Sequence, residues 1–140
     1  MAMIADIAGA VVTALNGHSF SMPFTAARAY LPVFDLKDMK DLRVTVVPRG
    51  NEMSTAGRAI AQGDVQVDVA VQKKLTTADA AEIDALMGLV QEIAVFIRST
   101  GRFGDGSWVR TQNVPIYSAE HLSELRQFTS VLTLTLRVMT

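Results

Sequence analysis

The sequence predicts an α+β two-layer sandwich, a mainly antiparallel sheet of four to five strands with two long helices on one face. Three observations predict it. Val65, Val67, Val69 and Val71 alternate strictly with Gln66, Asp68, Ala70 and Gln72, the period of a strand with one buried face. Ile83, Leu86, Met87, Val90, Ile93, Ala94 and Ile97 recur at three and four residues, the period of an amphipathic helix. Segments of these two kinds follow in the order α-β-β-β-α-short α-β, and neighbouring strands joined by hairpins leave the helices to cover one face.

The first helix carries Ile4, Ile7, Ala8, Val11 and Leu15 as one stripe, and Asn16-Gly17 ends it, glycine being suited to a left-handed C-cap. Phe20 to Phe34 then turns aromatic and extended. Pro23 and Pro32 punctuate it, so a strand at Ala27–Phe34 should be an edge or break at Pro32. Asp35 to Asp41 reads as a charged turn or a single helical turn. Leu42–Val47 is a strand stopped by Pro48-Arg49-Gly50.

Asn51 to Gly63 lacks a clean period and reads as a long hairpin excursion whose ends continue the flanking strands. After the valine strand, Thr76-Thr77 caps the long helix, with Asp79 in capping-box register, and the helix stops near Gly101. Ser99 to Asn113 holds three glycines and Trp108 and reads as a mobile loop. Val114–Tyr117 is short and extended. Ser118 caps a brief helix over Ala119–Leu125, with Glu120 where the helix dipole favours an acid. Phe128 to Met139 closes the sheet, Leu132, Leu134, Leu136 and Val138 alternating with Thr133, Thr135 and Arg137.

Composition narrows the function. A chain of 140 residues reads as one domain, 1–140, because two would each have a thin core. With no cysteine there is no disulfide scaffold, no thiol chemistry and no sulfur-ligated zinc. Thirteen basic against fourteen acidic residues gives a net charge of −1, and the nine arginines are scattered, which argues against a nucleic-acid-binding module. Charged residues make up 19% of the chain while 49% are hydrophobic, and that excess of apolar side chains points to self-association. Met1 to Leu15 lacks the basic start of an export signal, and no apolar run approaches the roughly 20 residues of a membrane span. Synthesis in a cytoplasm, without a membrane, is the expectation.

No constellation predicts catalysis, a cofactor or a metal site. Ser118 and His121 could be drawn into a hydrolytic system with an aspartate, but capping and a polar helix face explain them. Gly101-Arg-Phe-Gly-Asp-Gly106 follows a helix and has no Gly-Lys-Ser/Thr after it, so it is a loop rather than a phosphate cradle. Asp35, Asp38 and Asp41 interleave with Lys37 and Lys40, and Glu82 and Asp84 are too near in sequence to face each other on a helix.

Two features carry more. The non-core strand faces hold Thr129, Val131, Thr133, Thr135 and Met139 with Gln66, Ala70 and Gln72, a texture that packs on a neighbouring subunit as readily as it meets water. The Arg49–Gln62 excursion places Arg49, Met53, Arg58 and Ile60 among small residues. Together with Arg102, Phe103, Trp108 and Arg110 of the second loop, these are the candidate contacts to other subunits and partners.

Five stretches carry a resemblance: Phe24–Pro32, Leu42–Gly50, Asp68–Lys74, Pro115–Leu122 and Phe128–Arg137. Together they resemble the small head–tail joining proteins of long-tailed bacteriophages and prophages, in particular the tail terminator, or tail-completion, group typified by the lambda terminator. The resemblance implies a virion protein with no active site. Its expected form is a hexameric ring at the head-proximal end of the tail that caps the tube and ends its polymerisation. The implied partners are further copies of itself, the tail tube protein and the head connector or stopper, with DNA as passing cargo. The same resemblance admits a head-completion or stopper protein or a tail tube subunit. A different class, a small ligand-binding enzyme using His121, is the alternative.

Overall fold

The computed structural model describes residues 4–29, 42–55, 57–58, 60–75 and 80–139. Its elements run α1 (Ile4–Asn16), β1 (Ala26–Arg28), β2 (Arg43–Thr55), β3 (Ala61–Lys74), α2 (Ala80–Thr100), β4 (Arg102–Phe103), β5 (Gly106–Gln112), α3 (Ala119–Leu125) and β6 (Gln127–Met139). One sheet holds all six strands in the spatial order β1-β2-β3-β6-β5-β4. The α+β class is as expected, but the strand number and the pairing are not. β1 lies parallel to β2, and the other pairs are antiparallel. A parallel pair needs a crossover instead of a hairpin, and residues 29–42 join these two strands. Tyr30–Asp41, with Pro32 and the charged turn, lie outside the described residues, as do Thr76, Thr77 and Asp79.

The extra strands come from the segment expected to be a mobile loop. Phe103 pairs with Gly106 across a two-residue turn whose first central residue, Gly104, has φ +59°, the position that a type II′ hairpin reserves for glycine. β2 does not stop at Pro48 either. The register with β3 shifts between Pro48 and Gly50, a bulge that accommodates a residue without an amide hydrogen, and the strand continues until Thr55 pairs with Ala61. The ends of the Asn51–Gly63 excursion therefore do continue the flanking strands.

The core lies between the helices and one sheet face. Ile7, Ala8, Val11 and Leu15 of α1 are buried, as the stripe predicts. On α2 the buried residues are Leu86, Leu89, Val90, Ile93 and Ile97, so the stripe is turned slightly and Ile83, Met87 and Ala94 fall at its margin. The sheet curls far enough that α1 touches β1, β2 and β4, strands from both ends of the sheet order. Val44, Val46, Val65, Val67, Val69, Val71, Leu132, Leu134 and Leu136 fill the concave side. Burying each such side chain contributes about 1.5–3 kcal/mol.

Gly17 ends α1 without the left-handed conformation expected of it; its amide bonds to the carbonyls of Thr13 and Ala14 at 3.1 and 3.2 Å. The Asn16 side chain instead ties the helix end to β1. Among the described residues no helix is long and apolar enough to cross a membrane.

Candidate assembly surface

The β2–β3 hairpin forms an arm. β1 covers the outer edge of β2 only at Val44–Val46, with one further bond from Ala29 N to Val46 O at 3.0 Å. From Pro48 to Thr55 that edge has no strand beside it among the described residues, and Asn51–Thr55 are exposed. An open edge of this length is a template for pairing unless something covers it. Arg49, Met53, Arg58 and Ile60 all sit on the arm and are exposed.

Register brings the second group of candidates to the same end of the sheet. Glu52 pairs with Asp64, Asp64 with Arg137, Arg137 with Ser107 and Ser107 with Arg102, one row that crosses five strands. The next row on the same face runs Gly50, Gln66, Thr135 and Arg110. Arg102 and Arg110 are exposed at the far ends of these rows. Trp108 is half-buried against the core, its indole N–H donating to Thr111 Oγ1 at 2.8 Å. Phe103 is different. It is 1% exposed, and its ring serves the core because it follows the hairpin strand inward, so it offers no surface for a contact.

The convex face is more charged than its sequence suggests, and four of its charges, Arg49 with Asp68 and Arg137 with Asp64, are paired. Arg137 donates to Asp64 through Nε at 2.9 Å and Nη2 at 3.3 Å. That hydrogen bond with Asp64, with the attraction of the carboxylate, raises the Arg137 pKa above its ordinary value against a smaller opposing effect of burial. Thr133 donates to Asp68 Oδ1 at 2.8 Å, and Arg49 Nη1 approaches both, at 3.1 and 3.5 Å. Alternation puts Asp64 and Arg137 on the solvent side of their strands, but only the register shows that they meet.

Both histidines are held in structural contacts. His18 stacks on Phe96 with ring centroids 4.4 Å apart, beside Phe20 and Phe24. The neighbouring Glu92 accepts from the amide and hydroxyl of Ser21. His121 turns its Nδ1 to Thr129 Oγ1 at 2.9 Å. Ser118 Oγ accepts from the His121 backbone amide at 3.3 Å, the N-cap of α3. The hydroxyl and the imidazole are therefore not paired as nucleophile and base. Gln127 also donates to Thr129 Oγ1, while the buried Gln72 opposite has an Oε1 with no partner among the described residues. No group of three metal-ligating side chains occurs among the described residues, and Asp35, Asp38 and Asp41 lie outside them.

An apolar groove of about 650 Å³ opens between α2 and the end of β5, walled by Met87, Ala94, Ile116 and Leu132, with Asp84 at its side. Asn113 shapes its floor by donating to Ser130 Oγ at 3.1 Å and Val131 O at 2.8 Å. Sequence reasoning missed this groove, since no local signal marks residues far apart in the chain that happen to line one cleft.

No family model matches the chain. No curated protein matches it either. Among solved structures, it is similar to a chain of the virion of a native gene transfer agent particle, at 14% identity and a TM-score of 0.48, over 99% of this chain and 96% of that one.

Proposed function

We propose that this chain is a structural protein of a long-tailed phage or prophage virion, acting as a tail terminator. Six copies form a ring at the head-proximal end of the tail, cap the tube, end its polymerisation and present a surface to the head connector. It is a structural protein rather than an enzyme.

The observation that carries this reading is the arm. Its open edge and its exposed Met53 and Ile60 gain packing from a neighbouring subunit, where a monomer would leave them in water. The resemblance of the five stretches to terminators supplies the class of assembly. A ring also stops heterologous contacts from propagating into a filament. The near-neutral charge suits a passage for DNA, because each neutralised phosphate would add affinity.

The test is the mass of the purified chain across a wide concentration range, with negative-stain images of the heaviest species. The expected result is a closed ring near six times 15.1 kDa, and overlong tails when the chain is deleted from its phage. A chain that stays monomeric throughout, together with deleted particles whose tails keep normal length, overturns the reading.

A further inference from the structure

The six large apolar side chains that stand exposed among the described residues fall into two groups. Met53, Ile60 and Met139 belong to the end of the arm, where Met53 pairs with Gly63 and Met139 with Gln62. Val95, Val114 and Ile116 belong to α2 and to the segment that follows β5; of these Ile116 lines the α2–β5 groove, and Val114, next in the chain to the groove's Asn113, is 83% exposed. β6 measures the distance between the groups. Asn113 binds Val131 beside the groove, and the arm's end pairs with Met139, so the two sites lie about 26 Å apart at about 3.3 Å per strand residue. One copy cannot bring them together.

Their charges are complementary. Arg58 is the only charged residue from Met53 to Gln62, and Asp84 is the only charged residue lining the groove. Neither pairs with another described residue. Two different surfaces of one chain that fit each other make a heterologous contact, the kind that closes rings.

We propose that the arm tip of one copy seats in the α2–β5 groove of the next, with Met53 and Ile60 against Met87, Ala94 and Ile116 and with Arg58 beside Asp84. The occupant is a second copy of this chain, and the docking rests on the ring reading above.

The absence of cysteine makes a clean test available. Arg58→Cys and Asp84→Cys variants, one carrying a mass tag, are mixed and oxidised. A disulfide dimer containing one of each is expected, with little from either variant alone. Separately, Met53→Asp should weaken association roughly tenfold or more at unchanged melting temperature, since the side chain is exposed in the monomer but buried in the contact. Rings that form without the mixed cross-link, or that ignore Met53→Asp, overturn the docking and leave the ring standing. A wild-type chain that is monomeric at every concentration, together with deleted particles whose tails keep normal length, takes down both.

Discussion

Asn16 and Ala26 hold each other by both polar groups of each. Ala26 N donates to Asn16 Oδ1 at 2.7 Å, and Asn16 Nδ2 donates to Ala26 O at 3.0 Å. The last residue of α1 thus imitates a neighbouring strand for the first residue of β1. That matters because β1 is short and pairs with β2 through only Ala26, Ala27 and Arg28. The start of the arm's covered portion depends on this clamp.

Asn16→Ala removes both bonds from a partly buried site. A net loss of about 1–2 kcal/mol is expected, two hydrogen bonds at the usual net value of each. Urea denaturation measures it, with an unchanged m-value. Asn16→Asp should lose a similar amount, because a carboxylate keeps the acceptor for Ala26 N but turns its second oxygen on a carbonyl.

Gly106→Ala and Gly9→Ala should shift stability in opposite directions. A Cβ on Gly106 would lie 3.2 Å from Leu136 Cβ and 3.3 Å from Phe103 O, inside the curl of the sheet. Overpacking there costs about 1–3 kcal/mol. A Cβ on Gly9 meets nothing within 4 Å in the middle of α1. Removing that helical glycine should add about 0.5–1 kcal/mol. Thermal melts of both variants decide it, and a stabilised Gly106→Ala would contradict the packing described.

Ser118→Ala removes the cap of α3 and should cost about 0.5–2 kcal/mol, with Ser118→Gly losing less. His121→Ala keeps the cap, since the cap uses the His121 backbone amide, and should lose only the ring's bond to Thr129, about 1 kcal/mol. Neither change should alter ring mass. Any hydrolytic activity of the wild type that disappeared with both substitutions would revive the enzyme reading.

Leu134→Ala empties the middle of the sheet. Leu134 is fully buried between Val67 and Thr111 in register and faces the helices. The expected cost is about 2–5 kcal/mol. Met53→Ala, on the exposed arm, should stay within about 0.5 kcal/mol for the isolated chain. Chemical denaturation of the two side by side separates a core position from a contact position.

Periodicity determined much of this molecule before any tertiary contact was known. The α1 stripe, the α2 span, the alternation of β3 and β6 and the Ser118 cap each depend on spacings of two to four residues, which one segment carries within itself. The bulge at Pro48 was not legible, because it depends on which side of β2 a partner lies. Nor was the β4–β5 hairpin: two of its strand residues, Arg102 and Phe103, are too few to show a period. The parallel seat of β1 depends on a clamp between Asn16 and a residue ten positions away.

The candidate site divides along the same line. Exposed Met53, Arg58 and Ile60 could be read from an apolar pair and an arginine among small residues, and Phe103 could not be told from them, since apolarity alone does not say which way a ring points. The row that joins Asp64 to Arg137, and the groove that joins Asp84 to Ile116 and Leu132, exist only because β6 lies between β3 and β5. That placement is a matter of register across the whole sheet, summed over backbone bonds that no single stretch of sequence contains.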